Sequence, residues 1–509
     1  MDYALLKRNW KTLIFLLYVL LLVGGSTYYM LMWASRVNDY MGDEVWYVPA
    51  TRNVLARLGI NVHYVNGSYE GVNVILKEPE YRGEVRVSFL GLTITGKYRN
   101  YPHVPEFARR LGIRVEIIPY NVSTLDSAHF DSLKLKVWEI ANRCGFKDYV
   151  PYQNFPGVYY EIPTNCTAEF VANVSRLGNL SVVTGFRYPD KENIHRYLNT
   201  EHPFLGKDII ALGMLLGDKP IFWRLPGIIE HIIIDLVVLY VAYRLTKSYL
   251  AAGIALLFVA LDPLLFATSI VAMLDIHVAF FVSLFLLTLT LNRDRLSGLT
   301  LGLATATKLS GAFVFPVLWI KLIRKGSVKE FLISGILLPA AGFLLPELPI
   351  IKAMGFVPWL QEFLASFSWH LSFKGEHPAS SPFWMWFISL KPFPFHYSPD
   401  VYAVTDPILM LSMVAFIFAI PYAARRQVKL AEIFGAFWSV VVFFALQWIL
   451  GGKTQFIFYA TPLVPPGAIV LGVLGHDIIR WEYFEESLRI YWRWIRGILK
   501  EIRARIGRG

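Results

Sequence analysis

The chain has 509 residues, of which 55% are hydrophobic, 15% are aromatic and only 17% are charged, and its mean hydropathy is +0.45. No soluble domain needs so large an apolar fraction, so the composition excludes a soluble protein and predicts a polytopic α-helical membrane protein. The net charge of +11 does not indicate a nucleic-acid partner, because basic residues gather in the cytoplasmic loops of membrane proteins.

The first apolar run covers residues 13–33, and three basic residues precede it: Lys7, Arg8 and Lys11. Such residues tend to stay in the cytoplasm, so residues 1–34 are predicted to form a cytoplasmic N-terminus and an outward-running membrane anchor. The pair Asp43 and Glu44 follows this span closely. The sequence therefore places two carboxylates at the outer membrane surface, where such a pair is either functional or simply solvated.

A long polar segment after the first span contains no apolar run of membrane length. Alternating stretches at residues 72–76 and 85–89 indicate half-buried strands, and the stretches 131–144 and 168–177 indicate helices. We therefore expect a folded α+β extracytoplasmic domain over residues 60–199, inserted after the first helix. It is called the ectodomain below.

Five N-glycosylation sequons occur in this segment and none elsewhere in the sequence: Asn66, Asn121, Asn165, Asn173 and Asn179. Their confinement indicates that residues 35–217 form the first extracytoplasmic loop and meet a glycosylation machinery there. The two cysteines, Cys144 and Cys166, also lie in this loop. An oxidising compartment favours a disulfide between them over two free buried thiols.

Residues 218–475 are nearly all apolar and are predicted to form a multi-helix membrane domain, with an outer loop at 352–402. Basic clusters at alternate connections give about ten spans if the run 298–321 is two short spans, and we expect ten to twelve helices. In residues 476–509, arginines alternate with aromatic and aliphatic side chains. This pattern predicts a basic amphipathic cytoplasmic helix that lies on the membrane surface, against the acidic membrane lipids of the inner leaflet.

Ionisable residues occur inside or near the ends of several apolar runs: Arg224, Asp262, Asp275, His277 and Lys308. Charges at membrane depth are costly, so they tend to face a cavity and to serve function. The competing interpretation is a structural ion pair, for example between Lys308 and either Asp275 or Asp262.

Seven short motifs follow one another along the chain: Asp43-Glu44, His202-Pro203-Phe204-Leu205-Gly206-Lys207, Trp223-Arg224-Leu225-Pro226, Met273-Leu274-Asp275, Ala306-Thr307-Lys308, the stretch from His377-Pro378 to Trp384-Met385-Trp386, and the stretch from Thr454-Gln455 to Thr461-Pro462. In this order they resemble the motifs of the protein O-mannosyltransferases. Each motif alone is weak, but the ordered set covers most of the membrane part. The resemblance implies an integral-membrane glycosyltransferase of the GT-C superfamily.

The resemblance also implies the substrates: dolichyl-phosphate mannose as donor, and Ser or Thr hydroxyls of exported proteins as acceptors. No cofactor is expected beyond this lipid-linked donor, and a dimer stays open because family members work as dimers. The chain departs from the family in its longer ectodomain, in Phe204 where a second proline is common, and in lacking an insert like the eukaryotic MIR domain. The long ectodomain leaves the identity of the acceptor open, and the missing insert favours a prokaryotic, archaeal member. We expect the protein at the cell membrane with an extracytoplasmic active site, as the first span and the sequons indicate.

The chemistry of sugar transfer suggests a role for each polar residue. A hydroxyl needs a carboxylate to take its proton as it attacks the anomeric carbon, so Asp43 is expected to be the general base and Glu44 to orient the acceptor or the base. The leaving phosphate needs cations, for which Arg224 and Lys308 come first and Lys207 follows. Further ligands of acceptor or sugar are expected at four positions: His202, Asp275, His377 and Trp384. Attack opposite the phosphate inverts the anomeric centre. No metal is required if these cations suffice, although Asp43, Glu44 and His377 are residue types that could hold one.

Other functions are compatible with parts of this pattern. The nearest alternative is transfer of the sugar to a lipid or glycan, as in the aminoarabinose transferases. An asparagine-directed oligosaccharide transferase is disfavoured because the sequence has no Trp-Trp-Asp motif. A transporter is disfavoured because no repeat is evident, and a receptor because the membrane part is far larger than an anchor requires.

Overall fold

The protein is described from a computed structural model, which covers residues 3–62, 65–76, 82–89, 91–98, 113–121, 127–153, 157–185, 198–372, 379–477 and 481–506. The chain begins with a 34-residue helix, α1 (Tyr3–Arg36), and continues through a seven-residue loop into α2 (Glu44–Arg57). The acidic pair lies where this loop meets α2.

The ectodomain contains eight described strands and two described helices: β1 (Val65–Asn66), β2 (Tyr69–Leu76), β3 (Arg82–Phe89), β4 (Leu92–Tyr98), β5 (Arg114–Asn121), α3 (Ser127–Cys144), β6 (Tyr149–Pro151), β7 (Gly157–Pro163), α4 (Thr167–Ser175) and β8 (Leu180–Thr184). One antiparallel sheet has the order β1-β2-β7-β6, with β8 also paired to β2, and a second has the order β4-β3-β5. The strands predicted at 72–76 and 85–89 and both predicted helices are therefore confirmed.

Strand β2 differs from its prediction in one respect. It lies between β7 and β8, and its residues from Gly71 to Leu76 are all buried, so it is a central strand rather than a half-buried one. Its one polar interior residue, Asn73, accepts a hydrogen bond from the Tyr152 hydroxyl. Helices α3 and α4 pack against this sheet, and a disulfide between Cys144 and Cys166 joins the end of α3 to the start of α4, as expected.

The membrane part follows as a succession of helices: α5 (Leu205–Met214), α6 (Pro220–Thr246), α7 (Tyr249–Ala260), α8 (Pro263–Ser269), α9 (Leu274–Thr290), α10 (Asp294–Thr307), α11 (Phe315–Lys325), α12 (Val328–Leu332), α13 (Leu338–Met354) and α14 (Phe356–Ser372). A 3₁₀ turn, Leu309–Val314, separates α10 from α11, so the run 298–321 is two short helices, and a π-helical turn, Ile333–Leu337, joins α12 to α13. The first break places Lys308 on extended backbone between two apolar helices.

The described part of the predicted outer loop contains regular secondary structure. It holds α14, a 3₁₀ turn at Phe383–Ile388, and an antiparallel hairpin of β9 (Phe393–His396) and β10 (Val401–Ala403). The remaining helices are α15 (Pro407–Phe416), α16 (Ile420–Arg426), α17 (Val428–Ile449), α18 (Val464–Asp477), which a 3₁₀ turn at Ile457–Leu463 precedes, and α19 (Glu482–Ile506). Helix α19 is the helix predicted in the tail.

Five described helical segments are long and apolar enough to cross a membrane: Trp10–Arg36, Pro220–Thr246, Val328–Met354, Val428–Ile449 and Ile457–His476. The number rises to seven if two bent pairs each count as one span, α7 with α8 (53°) and α15 with α16 (78°). This is fewer than the ten to twelve expected from the sequence. The difference arises because turns break several apolar runs into helices too short to span alone, including α9, α10 and α11.

Candidate active site

The acidic pair is fixed by a close approach between its loop and the β9–β10 hairpin. Gly42 has a φ of +53°, and a Cβ atom there would lie 2.5 Å from Cδ1 of Phe395, so only glycine fits without a shift. The Gly42 amide also donates to the Phe395 carbonyl oxygen at 2.8 Å. Asp43 then occupies the N-cap position of α2 without using its side chain as the cap. Its carboxylate is therefore available for other contacts.

Glu44 is fully buried and accepts hydrogen bonds at both carboxylate oxygens. Arg224 of α6 approaches it as a fork, with Nε at 2.7 Å from Oε1 and Nη2 at 2.7 Å from Oε2. The backbone amides of Met41 and Ala272 each donate to the same carboxylate at 2.8 Å. Four donors around one buried carboxylate hold the Glu44 side chain in one position.

Arg224 has no donor left over for a phosphate. Besides its two bonds to Glu44, it donates to the carbonyl oxygens of Ala34 and Val37 through Nη1 and to that of Asp39 through Nη2, at 2.6–2.9 Å. These contacts use all five N–H groups of a guanidinium. In this arrangement the side chain ties the end of α1 to the acidic pair and offers no donor for the predicted phosphate contact.

Lys207 is likewise committed inside the protein. Its Nζ is fully buried and donates to the carbonyl oxygens of Asn199 (2.5 Å) and His202 (2.7 Å), above the ring of Phe204 at 4.0 Å. Burial lowers the pKa of Lys207, although the carboxylates of Glu201 and Glu347 oppose the shift. Its third proton points to the Asn199 Oδ1 at 3.5 Å, so, like Arg224, Lys207 has no donor left for the predicted phosphate contact.

Asp43 has a different environment from its neighbour. Its side chain is half-buried, and the Tyr47 hydroxyl donates to its Oδ2 at 3.4 Å. Burial raises the pKa of Asp43 to about 6; the charge of Lys308 and the Tyr47 hydrogen bond lower it, and the charge of Asp275 raises it. A carboxylate with this pKa is ionised near neutral pH and still basic enough to accept a proton.

Lys308 and Asp275 form an ion pair beside Asp43. The Lys308 Nζ lies 2.9 and 3.0 Å from the two oxygens of Asp275, and it lies 4.2 Å from the centre of the Tyr459 ring. The structural pairing considered for Lys308 is thus present, with Asp275 rather than Asp262, whose carboxylate caps α8 at the Leu265 amide. An ammonium has three protons, so this pairing leaves Lys308 able to contact an anion as well.

An apolar cavity of about 590 Å³ opens beside this ion pair. Its wall is mostly apolar and includes seven aromatic residues, and its polar lining is sparse: Thr305, Lys308, Ser310, Gln447 and Thr454. The aromatic residues come from α13, α14, α17 and the turns that flank α11 and α18: Phe313, Phe343, Phe363, Phe443, Phe444, Phe456 and Tyr459. Lys308 is the only charged residue among these lining groups. The cavity suits a long apolar molecule that carries one anionic group.

The other residues predicted to bind the acceptor or the sugar lie at different distances from Asp43 and Lys308. The His202 ring packs edge-on against Tyr47, with 5.9 Å between the ring centres. The Tyr47 side chain therefore lies between His202 and Asp43. Trp384 is 42% exposed and stacks edge-on with Trp448, whose neighbours along the chain line the cavity. His377 lies outside the described residues.

The predicted glycosylation sites occupy the ectodomain surface where they are described. Asn165 and Asn179 are exposed, and Asn173 on α4 is half-buried. Asn66 and Asn121 end strands β1 and β5, and their side chains lie outside the described part of the chain.

Several residues that the sequence did not single out position the site. Gln153, next to strand β6, donates its backbone amide to the Asp39 carboxylate at 3.0 Å. Its side-chain amide donates to the Tyr397 carbonyl oxygen (2.7 Å) and accepts from the Tyr397 amide (3.2 Å). The ectodomain, the hairpin and the loop before the acidic pair therefore meet at one residue. No local sequence pattern marks Gln153, because its partners are distant in the chain.

A second buried ion pair joins α2 to the segment just before α6. Arg52 donates to both oxygens of Asp218, at 3.1 and 2.9 Å, and the Trp223 indole donates to the same carboxylate at 3.0 Å. Three residues of the segment 218–224 therefore make buried contacts that stabilise the fold: Asp218, Trp223 and Arg224. Another buried contact, His277 Nδ1 with Glu230 Oε2 at 2.5 Å, accounts for the buried position of His277.

Comparisons with known proteins give limited similarities. No family model matches the chain. A polyprenol-phosphate-mannose–protein mannosyltransferase of Mycolicibacterium smegmatis is 29% identical over 143 residues, covering 22% of this chain and 28% of the relative. The corresponding protein of Mycobacterium tuberculosis is 27% identical over 143 residues, covering 22% of this chain and 27% of the relative. The chain thus spans little more than a quarter of the length of the curated relatives it matches.

Solved structures show weaker likeness. The apo crystal structure of ArnT from Cupriavidus metallidurans has a TM-score of 0.38 and 18% identity, covering 57% of this chain and 52% of that one. The Archaeoglobus fulgidus oligosaccharyltransferase AglB, in complex with an inhibitory peptide and a dolichol-phosphate, has a TM-score of 0.31 and 15% identity, covering 57% and 46%. Both TM-scores are below 0.5, so the architecture described above rests on the chain's own elements.

Proposed function

We propose that this chain is an inverting GT-C-type glycosyltransferase that moves mannose from a polyprenyl (dolichyl) phosphate to Ser or Thr hydroxyls of exported proteins. One observation carries the proposal: a half-buried carboxylate, Asp43, lies within electrostatic reach of Lys308, which lines an apolar cavity. A lipid-linked sugar donor has an apolar tail, an anionic phosphate and a reactive anomeric carbon. The cavity, Lys308 and Asp43 match these three parts in turn. The sequence similarity to two mannosyltransferases over part of the chain supports the choice of mannose.

Asp43 is the general base in this proposal. The acceptor hydroxyl attacks the anomeric carbon, a new carbon–oxygen bond forms, and the hydroxyl proton passes to the Asp43 carboxylate. Burial raises the pKa of Asp43 to about 6, which matches a base that works near neutral pH. Glu44 is unsuited to this step because four donors already occupy its two oxygens.

Lys308 stabilises the leaving group. As the bond between the anomeric carbon and the phosphate oxygen breaks, negative charge grows on the polyprenyl phosphate, and a cation at the cavity wall lowers the barrier. Asp275 holds the Lys308 ammonium in place through both of its oxygens. Because Arg224 and Lys207 are committed to internal acceptors, Lys308 takes the role first divided among the three.

The other predicted contacts complete the acceptor side. His202 and Tyr47 pack together next to Asp43, so an incoming hydroxyl would meet them as it approaches the base. Trp384 presents an exposed aromatic face beside the cavity region, a surface that suits a sugar ring or a peptide side chain. The sequons on the ectodomain support an extracytoplasmic site at the cell membrane.

The direct test uses the purified full-length protein with radiolabelled dolichyl-phosphate mannose and a Ser/Thr-rich peptide. The Asp43→Asn variant provides the matched control, because it keeps the side-chain shape and removes the base. A parallel arm replaces the peptide with lipid and glycan acceptors.

Label that enters the peptide with the wild type but not with Asp43→Asn supports the reaction, the donor and the base together. Label that enters only a lipid or glycan would replace the protein acceptor with the alternative considered from the sequence. Absence of label in every arm, with a correctly folded protein and several polyprenyl-phosphate sugars, would overturn the proposed transfer.

A further inference from the structure

Helix α19 is attached to the protein at a break in the membrane helices. The bend of 78° between α15 and α16 frees backbone groups from helical hydrogen bonds. Ser487 of α19 donates to the Ala419 carbonyl oxygen (2.9 Å) and accepts from the Tyr422 amide (3.1 Å). The Tyr491 hydroxyl donates to the Ile417 carbonyl oxygen at 2.8 Å. These bonds fix which side of α19 faces the protein.

A second side of α19 is apolar and uncovered. Leu488, Trp492, Ile495 and Leu499 are spaced by four, three and four residues, so they form one stripe along the helix. Each is between 47% and 54% exposed, and Tyr483 and Ile490 on the protein-facing side are buried. Within the described part of the chain, nothing covers this stripe, which is called the apolar stripe below.

A third side of α19 is basic and borders the apolar stripe. Arg489, Arg493, Arg496 and Lys500 follow the four apolar residues by one position each, which rotates them about 100° around the helix. All four are exposed. The Arg496 guanidinium also lies 5.0 Å from the centre of the Trp492 ring, so the two stripes touch. These four residues are called the basic stripe.

The end of the bundle that carries α19 also carries other basic residues. Arg426, at the end of α16, contacts Glu482 of α19 at 3.5 Å. The adjacent Gln427 donates to the Leu245 carbonyl oxygen at 2.8 Å, which brings the loop with Arg244 and Lys247 to the same end. Basic loops gather on the membrane face with the more acidic lipid surface.

We propose that α19 is a lipid-binding element whose basic stripe binds acidic phospholipid headgroups while its apolar stripe inserts among the adjoining acyl chains. The charge of the basic stripe is complementary to phosphate headgroups, and tryptophan beside arginine suits the boundary between headgroups and chains. The bonds of Ser487 and Tyr491 then couple this lipid layer to the broken α15–α16 pair. This lipid site is independent of the proposed transfer reaction.

The test places a fluorescent reporter on each side of α19 in the full-length protein. The two native cysteines form a disulfide, so Leu488→Cys provides a single thiol for a bimane label on the apolar stripe. The matched control is Leu135→Cys on the ectodomain helix α3, where the leucine is also exposed. Both proteins are reconstituted in vesicles of brominated phosphatidylcholine, alone or with about a third of phosphatidylglycerol.

The proposal predicts quenching at position 488 and none at 135, and quenching at 488 at least about twofold stronger in the acidic vesicles. Reversing the charge of the basic stripe with Arg493→Glu, Arg496→Glu and Lys500→Glu together abolishes the difference between the two lipid mixtures. These three side chains make no described contact with α15 or α16, so the attachment of α19 survives the change.

Two results would overturn the proposal. Equal quenching at 488 in neutral and acidic vesicles, unchanged by the triple reversal, would remove the role of acidic headgroups. No quenching at 488 in either mixture would exclude the membrane as occupant and favour a second protein surface, which crosslinking from position 488 would then reveal.

Discussion

Asp43 and Glu44 are neighbours in sequence but belong to two different regions of the molecule. Glu44 faces a dry interior in which Arg224 and two backbone amides satisfy both of its oxygens. Asp43 faces the region of Lys308 and the cavity, with one long hydrogen bond from Tyr47. A carboxylate whose oxygens all accept hydrogen bonds thus positions a site, whereas a partly desolvated carboxylate with few donors is able to take a proton.

Removing Arg224 is expected to have the largest effect, and the effect is on stability. Arg224→Ala leaves the buried Glu44 carboxylate and three carbonyl groups without their partner, at a cost of about 3–5 kcal/mol in the free energy of unfolding. Denaturant or thermal unfolding of the purified protein measures this loss. The matched control, Arg295→Ala, removes an exposed arginine from its pair with Glu330 and should leave stability unchanged. A stable Arg224→Ala protein with only a raised donor KM would restore the phosphate role predicted from the sequence.

The next largest effect separates the two acids. Asp43→Asn is expected to lower kcat by at least ~100-fold without changing the unfolding temperature, because a general base is lost and no strong bond is broken. Glu44→Gln is expected to do the opposite: it lowers the unfolding temperature and changes kcat much less in molecules that remain folded. Single-turnover transfer alongside thermal unfolding distinguishes the two. Equal kinetic losses in both variants would remove the division of roles.

Substitution of Lys308 tests whether the cavity wall contacts the donor phosphate. Lys308→Met is expected to raise the donor KM about tenfold, since a hydrogen bond to a charged group contributes about 1.5–3 kcal/mol. Because this change also leaves Asp275 unpaired, the double variant Lys308→Met/Asp275→Asn is the control. A donor KM that stays high in the double variant supports a phosphate contact. A KM restored to the wild-type value would show that Lys308 serves only the ion pair.

The pH dependence of transfer sharpens the assignment of the base. With a pKa of about 6, Asp43 is active when ionised, so kcat should fall about tenfold per pH unit below pH 6 and level off above it. The Tyr47 hydrogen bond lowers this pKa, so Tyr47→Phe should move the acid limb to higher pH. A pH–rate profile for both proteins measures the shift. A limb that does not move in Tyr47→Phe would mean that another group titrates.

The smallest expected effect concerns the link between the ectodomain and the site. Gln153→Ala removes two hydrogen bonds to Tyr397 and should lower kcat about threefold with little change in either KM. Hydrogen exchange at the Gly42 amide, which bonds to the same hairpin, should rise in this variant. Thr164→Ala, which removes an ectodomain hydrogen bond to Ser68, is the control. Unchanged kcat and exchange would confine Gln153 to a passive contact.

The sequence predicted the features that depend on local pattern or on composition. The strands at 72–76 and 85–89, the helices of the ectodomain, the disulfide and the tail helix follow from periodicity, residue type and compartment. The cluster of Asp43, Asp275 and Lys308 came from a resemblance of ordered motifs, and the structure brings these three residues together.

The rest depended on partners that are far apart in the chain. Whether Arg224 meets a phosphate or a carboxylate is decided by carbonyl groups at the end of α1 and in the loop after it, which no local pattern reports. Only five to seven described segments are long and apolar enough to cross a membrane, because turns such as the one after Lys308 divide apolar runs that look continuous in sequence. Gln153 was missed because an exposed glutamine in a polar segment has no distinguishing signal.

The bond between Glu44 and Arg224 also constrains the order in which the protein is made. The two residues are 180 positions apart, so at about 5–20 residues per second the ribosome needs roughly 9–36 s to deliver the arginine after the glutamate. Phe395, which closes over Gly42, emerges later still. The loop that ends in Asp43 and Glu44 is therefore synthesised early, but its contacts with Arg224 and Phe395 form late. A chain paused during synthesis before α6 would carry a Glu44 carboxylate that still lacks its Arg224 partner.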